Sequence, residues 1–433
     1  MLNVAGEAAI VITDVPYKRN PDLSTKEGFI MRSLHGDNRQ LADIYLPATP
    51  ITRSTPVYFF VHGGGWIRGH RAANNLVKAA GGTFSVYGGP PQCNAAASMG
   101  FVAISTGYRV GEIATILADV ATSLKWFSDK ANLSCVRHGL GALADDFKIV
   151  LAGHSAGAHV AMMLATDPSY LAAVGMDVTR LAGICAFSGP YTVRNPFNSS
   201  WRNAVFQRMY VDKAFPADVA RQDEYSPTWR IAQRVESDGP LTTYYEETKV
   251  APGWFESASC TSGGGGSKCG SAVREQPTPQ QIAAAAEVSS STSKAVSTSA
   301  ATAAAASTAV AAAASPVAVA VVGSATHGFG KQRVTHVGPT LFETHGLPAI
   351  VLCGTSDLGL EHDAQRLYSF LCQLKSRGYD PDKKVRFAQI AGASHASINR
   401  EPLTREVLVK LINELMFPAA AAAAPPVAPS SSQ

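Results

Sequence analysis

The chain has 433 residues, 46% of them hydrophobic and 16% charged, with a formal net charge of +4. That composition suits a soluble chain with a large buried core. Charge so near balance, with no dense Lys/Arg stripe between aromatics, argues against nucleic acid as a partner.

At the start of the chain, Ala8-Ala9-Ile10-Val11-Ile12 is apolar but short, follows Glu7 and has no basic flank. No secretory signal is read there, and a cytoplasmic chain is expected. From Leu41 to Phe187 short apolar strands alternate with helical patterns. The strands are "VYFFV" from Val57, "FVAIST" from Phe101, "KIVLAG" from Lys148 and "AGICAFSG" from Ala182. Helices are expected at Ile113 to Ser128 and after Ser155. Such alternation implies βαβ units and a parallel sheet. A cap is expected over 190–230, where Trp201, Phe206, Tyr210 and Phe215 fall near helical spacing and would line an apolar pocket.

From 257 to 325 the chain is mostly Ala, Ser, Gly and Thr without aromatics. It cannot bury enough apolar surface to offset its ordering entropy, so it reads as a disordered insertion, as does the tail at 418–433. The sheet pattern resumes with "PAIVLCGTSD" from Pro348, a helix from Glu361 to Arg377, "VRFAQIAGASH" from Val385 and a last helix from Leu403 to Met416. A single α/β domain over 28–417, interrupted by the insertion, is expected. The seven cysteines are an odd number, and Cys185 and Cys353 sit inside apolar runs, which favours free thiols in a reducing compartment. Cys260 and Cys269 bracket a glycine run, and no spacing requires them to pair.

The chemistry centres on "KIVLAGHSAGAHV" at Lys148. Gly153 and Gly157 flank Ser155 at the spacing that lets a strand turn sharply into a helix and thrusts the hydroxyl out at the top of a sheet. A serine hydroxyl is a weak nucleophile until a base takes its proton and a third group holds that base in the right tautomer. Asp357, after "AIVLCG", and His395, after "VRFAQIAG", each stand at the C-terminal end of a strand. Asp363 competes for the carboxylate role and is read instead as an N-terminal residue of the next helix, with a capping or dipole role. Upstream, His62-Gly63-Gly64-Gly65-Trp66 closes a strand, and its glycines leave backbone N–H groups free to approach a substrate oxygen. Gly64 and Gly65, with Ala156 just after the nucleophile and Gly63 as a helper, form the expected oxyanion hole. His154, His159 and His362 are read as packing or surface residues. No HExxH or paired CxxC occurs, so no metal site is expected.

On these motifs the chain resembles the α/β-hydrolase superfamily, in particular esterases of the hormone-sensitive-lipase type with HGGGW and GHSAG. More narrowly, "DIYLPA" at Asp43, "VHGGGWIRG" at Val61, "GHSAGAHVA" at Gly153, "FSGPY" at Phe187 and "SHASINREPL" at Ser394 are similar to prenylcysteine methylesterases and kynurenine formamidases. The resemblance spans Leu41 to Val235 and Gly338 to Phe417. It implies an eight-stranded, mostly parallel sheet with helices on both faces and no cofactor. It also implies nucleophile Ser155, acid Asp357, base His395 and oxyanion glycines Gly64 and Gly65. Plant methylesterases resemble membrane-anchored proteins, but no equivalent N-terminal anchor is read here. At Gly107-Tyr108-Arg109 the families often carry Asp-Tyr-Arg, a departure expected to loosen a supporting contact.

The expected activity is hydrolysis of a small-molecule ester through an acyl-serine intermediate, the ester being a prenylcysteine methyl ester on the narrower resemblance. Hydrolysis of N-formylkynurenine by the same triad is the alternative. A non-catalytic ligand receptor on a hydrolase scaffold is the alternative of another class, and a well-placed His395 argues against it.

Overall fold

The computed structural model describes residues 10–18, 40–72, 90–129, 143–235 and 337–417, all within one compact unit. The expected insertion at 257–325 and tail at 418–433 lie outside the described residues, as do Cys260 and Cys269.

Eight strands form one sheet. They are β1 (Ile10–Pro16), β2 (Leu41–Leu46), β3 (Val57–Val61), β4 (Val102–Thr106), β5 (Ile149–His154), β6 (Leu181–Phe187), β7 (Ala349–Ser356) and β8 (Val385–Ser394). Their order is β1-β2-β4-β3-β5-β6-β7-β8. β1 with β2 and β2 with β4 are antiparallel, and every other pair is parallel. The chain has the parallel sheet that the alternating pattern implies, with the eight strands that the resemblance implies.

The central strands are buried on both faces, which is why they read as unbroken apolar runs. Because side chains alternate along a strand, β3 sends Val57, Phe59 and Val61 into one core and Tyr58 and Phe60 into the other. β5 and β7 divide the same way: Ile149, Leu151, Val351 and Cys353 join the first, and Val150, Ala152, Ile350 and Leu352 the second. The first core is closed by α2 (Ile113–Ser128), α3 (Ala156–Thr166) and α6 (Glu361–Gln373). The second is closed by α1 (Pro90–Ser98) and α7 (Pro402–Met416). In α2 the buried Ile113, Ile116, Leu117, Val120, Leu124 and Phe127 recur at helical spacing and form one face. Cys93, Cys185, Cys353 and Cys372 are free thiols.

Two boundaries differ from expectation. The sheet begins at Ile10, ahead of the expected domain start at 28. Most of the side chains of β1 are exposed, so burial contributes little to its docking. What holds it is the ladder to β2 together with Arg71, which bonds both Asp14 of β1 and Asp43 of β2. The cap segment after β6 is a string of short helices: α4 (Ser200–Phe206) continues into a π turn at Gln207–Val211, and α5 (Pro227–Val235) returns the chain to the body. Among the described residues, no helix is long and apolar enough to cross a membrane.

Candidate active site

Ser155 stands between β5 and α3 with φ 54° and ψ −122°, in the left-handed half of backbone space that a side chain rarely adopts. The sheet and helix clamp it there. A Cβ on Gly157 would lie 2.1 Å from the Val61 carbonyl oxygen, and one on Gly153 would lie 2.3 Å from the Gly157 carbonyl oxygen. Only glycine at both positions lets strand and helix close so tightly, so the Gly-x-Ser-x-Gly spacing follows from backbone contact. The Ser155 N–H donates to the Phe187 carbonyl at 2.8 Å, which ties the elbow to β6.

The structure brings the three expected side chains together. His395 Nε2 lies 3.0 Å from Ser155 Oγ, and His395 Nδ1 lies 2.7 Å from Asp357 Oδ1. With Nδ1–H donating to the carboxylate, Nε2 is left to accept the serine proton. Asp357 is fully buried just beyond β7 and accepts a second bond, from the Gly354 N–H at 3.3 Å. His395 follows β8, where Ser394 and Ser397 exchange backbone-to-hydroxyl hydrogen bonds of 3.0 and 3.1 Å that fix the turn. The same geometry decides against the alternative carboxylate: Asp363, in the first turn of α6, accepts from the N–H groups of Tyr191 and Thr192 at 2.5 and 2.8 Å and from the Thr192 hydroxyl at 2.5 Å.

 Asp363 is an N-terminal residue of α6, as expected, but does not cap it; it is fully buried and pins the backbone at the root of the cap. Burial pushes its pKa up to about 6, against the pull of Arg366 and of those three bonds.

Beside the triad lies the glycine loop after β3. Ala156 opens α3, so its N–H is among those with no acceptor inside the helix. Gly65 has φ 62°, and a Cβ there would lie 2.3 Å from the Tyr210 ring, so glycine satisfies both the turn and the contact with the cap. The loop is held from beneath. Tyr108 donates its hydroxyl proton to the His62 carbonyl at 2.8 Å and stacks on the His62 ring with centroids 4.2 Å apart. Burial lowers the His62 pKa to about 4, so the ring is neutral.

The departure at Gly107 does not leave this support loose. Tyr17 donates to the Gly107 carbonyl at 2.8 Å, the Gly107 N–H donates to Leu41, and Arg109 is gripped by Asp119 of α2 with side-chain bonds of 2.8 Å. Asp119 supplies from a helix a carboxylate that the strand end lacks.

Two histidines read only as packing residues have defined partners. His154 is buried, and its Nε2 lies 2.8 Å from the His395 carbonyl, so it supports the loop that carries the base. His159 bonds Trp66 and Tyr225. Their positions in Gly-His-Ser-Ala-Gly-Ala-His were visible in the sequence, but their partners come from distant segments. His362 is exposed as expected. In the cap, Phe206 and Phe215 pack on Trp66 with centroids 5.8 and 4.8 Å apart, and Phe206 also meets Tyr210 at 5.5 Å. Trp201 does not join them. It is 50% exposed, because α4 turns that face outward with Val205, as the π turn after it does with Met209. Among the described residues, no group of three or more His, Cys, Asp or Glu is placed to hold a metal ion.

A mostly parallel eight-stranded sheet, with a serine on a strand-to-helix elbow and its partners after the last two strands, is the architecture of the α/β-hydrolase fold. The sequence model of the BD-FAE family matches residues 42–227. Over 192 residues the chain is 26% identical to a probable isoprenylcysteine alpha-carbonyl methylesterase of Oryza sativa subsp. japonica, covering 42% of this chain and 40% of that protein. Over 148 residues it is 32% identical to esterase LipC of Mycobacterium tuberculosis, covering 33% and 31%. The matched stretches thus span less than half the length of these curated relatives. Among solved structures, esterase B from Lactobacillus rhamnosis aligns with a TM-score of 0.50 at 13% identity, covering 95% of this chain and 88% of that one, a likeness of fold alone.

Proposed function

We propose that the chain is a serine carboxylic ester hydrolase. One observation carries this reading: the unbroken line from Asp357 through His395 to Ser155, at 2.7 and 3.0 Å, with the serine on a strained elbow. His395, oriented by Asp357, takes the Ser155 proton as Oγ attacks the ester carbonyl. The N–H groups of Gly64, Gly65 and Ala156 hold the oxyanion, and His395 returns the proton to the leaving alcohol. Water, deprotonated by His395, then hydrolyses the acyl-serine and frees the acid. Each oxyanion donor contributes about 10²- to 10³-fold.

For the substrate we infer an ester with a bulky apolar group, a prenylcysteine methyl ester being the best match. Support comes from the aromatic face of Phe206, Tyr210 and Phe215 over Trp66, and from the 26% likeness to a probable methylesterase. A ligand receptor would have no use for a base, and the contacts of His395 with Ser155 and Asp357 support the enzyme reading.

The test is hydrolysis of p-nitrophenyl acetate, a prenylcysteine methyl ester and N-formylkynurenine by the protein and by Ser155→Ala. Turnover that vanishes in the variant, with the methyl ester preferred, is the expected result. Preference for the formamide would move the substrate to that class. Inert protein, with no labelling of Ser155 by a fluorophosphonate, would overturn the enzyme reading in favour of a receptor.

A further inference from the structure

Resting on the serine hydrolase reading, we propose that His159 is a positioning residue that locks the oxyanion loop to both the nucleophile helix and the cap. His159 lies four residues after Ser155 on α3, and its N–H donates to the Ser155 carbonyl at 3.2 Å, so the ring is registered to the elbow. Both ring nitrogens are engaged. Trp66 Nε1–H donates to Nδ1 at 3.2 Å, and Nε2–H donates to the Tyr225 carbonyl at 2.7 Å. An indole N–H only donates and a carbonyl only accepts, so these two partners select a single neutral tautomer.

Trp66 is the reason the lock matters. It follows Gly65 directly, has φ 63°, and is fully buried. Its indole stands edge-on to His159, with centroids 5.1 Å apart at 84°, and to Phe215, at 4.8 Å and 89°. Its carbonyl accepts from the Gly111 N–H at 2.8 Å. A turn of this side chain would carry Gly65 with it, and an oxyanion donor must sit about 2.7–3.1 Å from the developing charge. An apolar residue at 159 would leave the buried Trp66 N–H and the half-buried Tyr225 carbonyl without these partners, an unmade bond at each end of the link. Burial also holds the His159 pKa at about 4, which keeps Nδ1 an acceptor at neutral pH. His159 touches neither Ser155 Oγ nor the oxyanion position, so its effect passes through Trp66 and falls on kcat.

The experiment compares kcat, KM and thermal melting for the full chain and for Ser155→Ala, His159→Leu, His159→Gln, Trp66→Phe and the His159→Leu/Trp66→Phe pair, on p-nitrophenyl acetate. Expected are kcat losses of about 10- to 100-fold in His159→Leu and Trp66→Phe, with KM within about twofold. The pair should lose no more than either single variant, since both break one link. His159→Gln, whose amide can accept from Trp66 and donate to Tyr225, should recover most of the rate. If His159→Leu fails to fold, Trp66→Phe and His159→Gln carry the test. Unchanged kcat in Trp66→Phe, or in a folded His159→Leu, overturns the inference, as does a Gln variant no better than Leu. Should the unaltered chain be inert, or Ser155→Ala as active as it, the hydrolase reading falls and this inference with it.

Discussion

The elbow and the cap meet the same glycine loop by different means. At the elbow the closest approaches are backbone on backbone: Gly153 against Gly157, and Gly157 against Val61. At the cap they are side chain on backbone or ring on ring: Tyr210 on Gly65, and Phe206 and Phe215 on Trp66. Backbone contacts admit one residue type, so the elbow is rigid and its motif is short. Ring contacts admit several, so the cap can vary while the chemistry beneath it stays fixed. Catalysis is therefore expected to reside in the first region and substrate preference in the second.

Substitutions should separate the two regions. Ser155→Ala should lower kcat by about 10⁴-fold or more, and Asp357→Asn by about 10³- to 10⁴-fold because His395 loses its tautomer. Both should leave KM and the melting temperature nearly unchanged. Gly157→Ala should act on the fold instead. Its Cβ would overlap the Val61 carbonyl, and a loss of about 3 kcal/mol or more is expected, read as a drop in melting temperature or in soluble yield. Tyr210→Ala should sharpen the comparison from the cap side. Kinetics on a series of esters should show selectivity for apolar groups shifted by about 10-fold, with p-nitrophenyl acetate turned over within about threefold of the original rate. Equal losses on every ester would remove the division between chemistry and preference.

The smallest effect concerns pH. Burial holds His62 and His159 at about 4, below the ordinary 6.5. Between those values the unfolded chain binds more protons than the folded one, so this stability is complete above 6.5 and is lost as pH falls towards 4. Asp363, raised to about 6 from 3.8, acts in the opposite sense over part of the same window. Two imidazoles outweigh one carboxyl, so melting temperature should fall between pH 6.5 and 4.5. His159→Gln should fall less steeply.

How much was legible in the sequence follows the same division. The central strands could be read because burial on both faces leaves an unbroken apolar run, and Ile113–Ser128 because its apolar face repeats at helical spacing. The triad residues stand at strand ends, where short motifs mark them. β1 was missed because an exposed edge strand carries little apolar pattern, and its ties to Arg71 and Asp43 join segments far apart in the chain. Helical spacing alone put Trp201 in the cap cluster, but which face of α4 turns inward is fixed by Trp66 from another segment. Asp363 read as a helix-end residue because its partners at Tyr191 and Thr192 lie across the domain.

The most direct test of the central claim is intact-protein and peptide mass spectrometry after treatment with a fluorophosphonate. One adduct per chain, on Ser155, absent from Ser155→Ala and formed far more slowly in His395→Ala, is the expected result. An adduct on another residue, or labelling of Ser155 at the same rate without His395, would contradict the account.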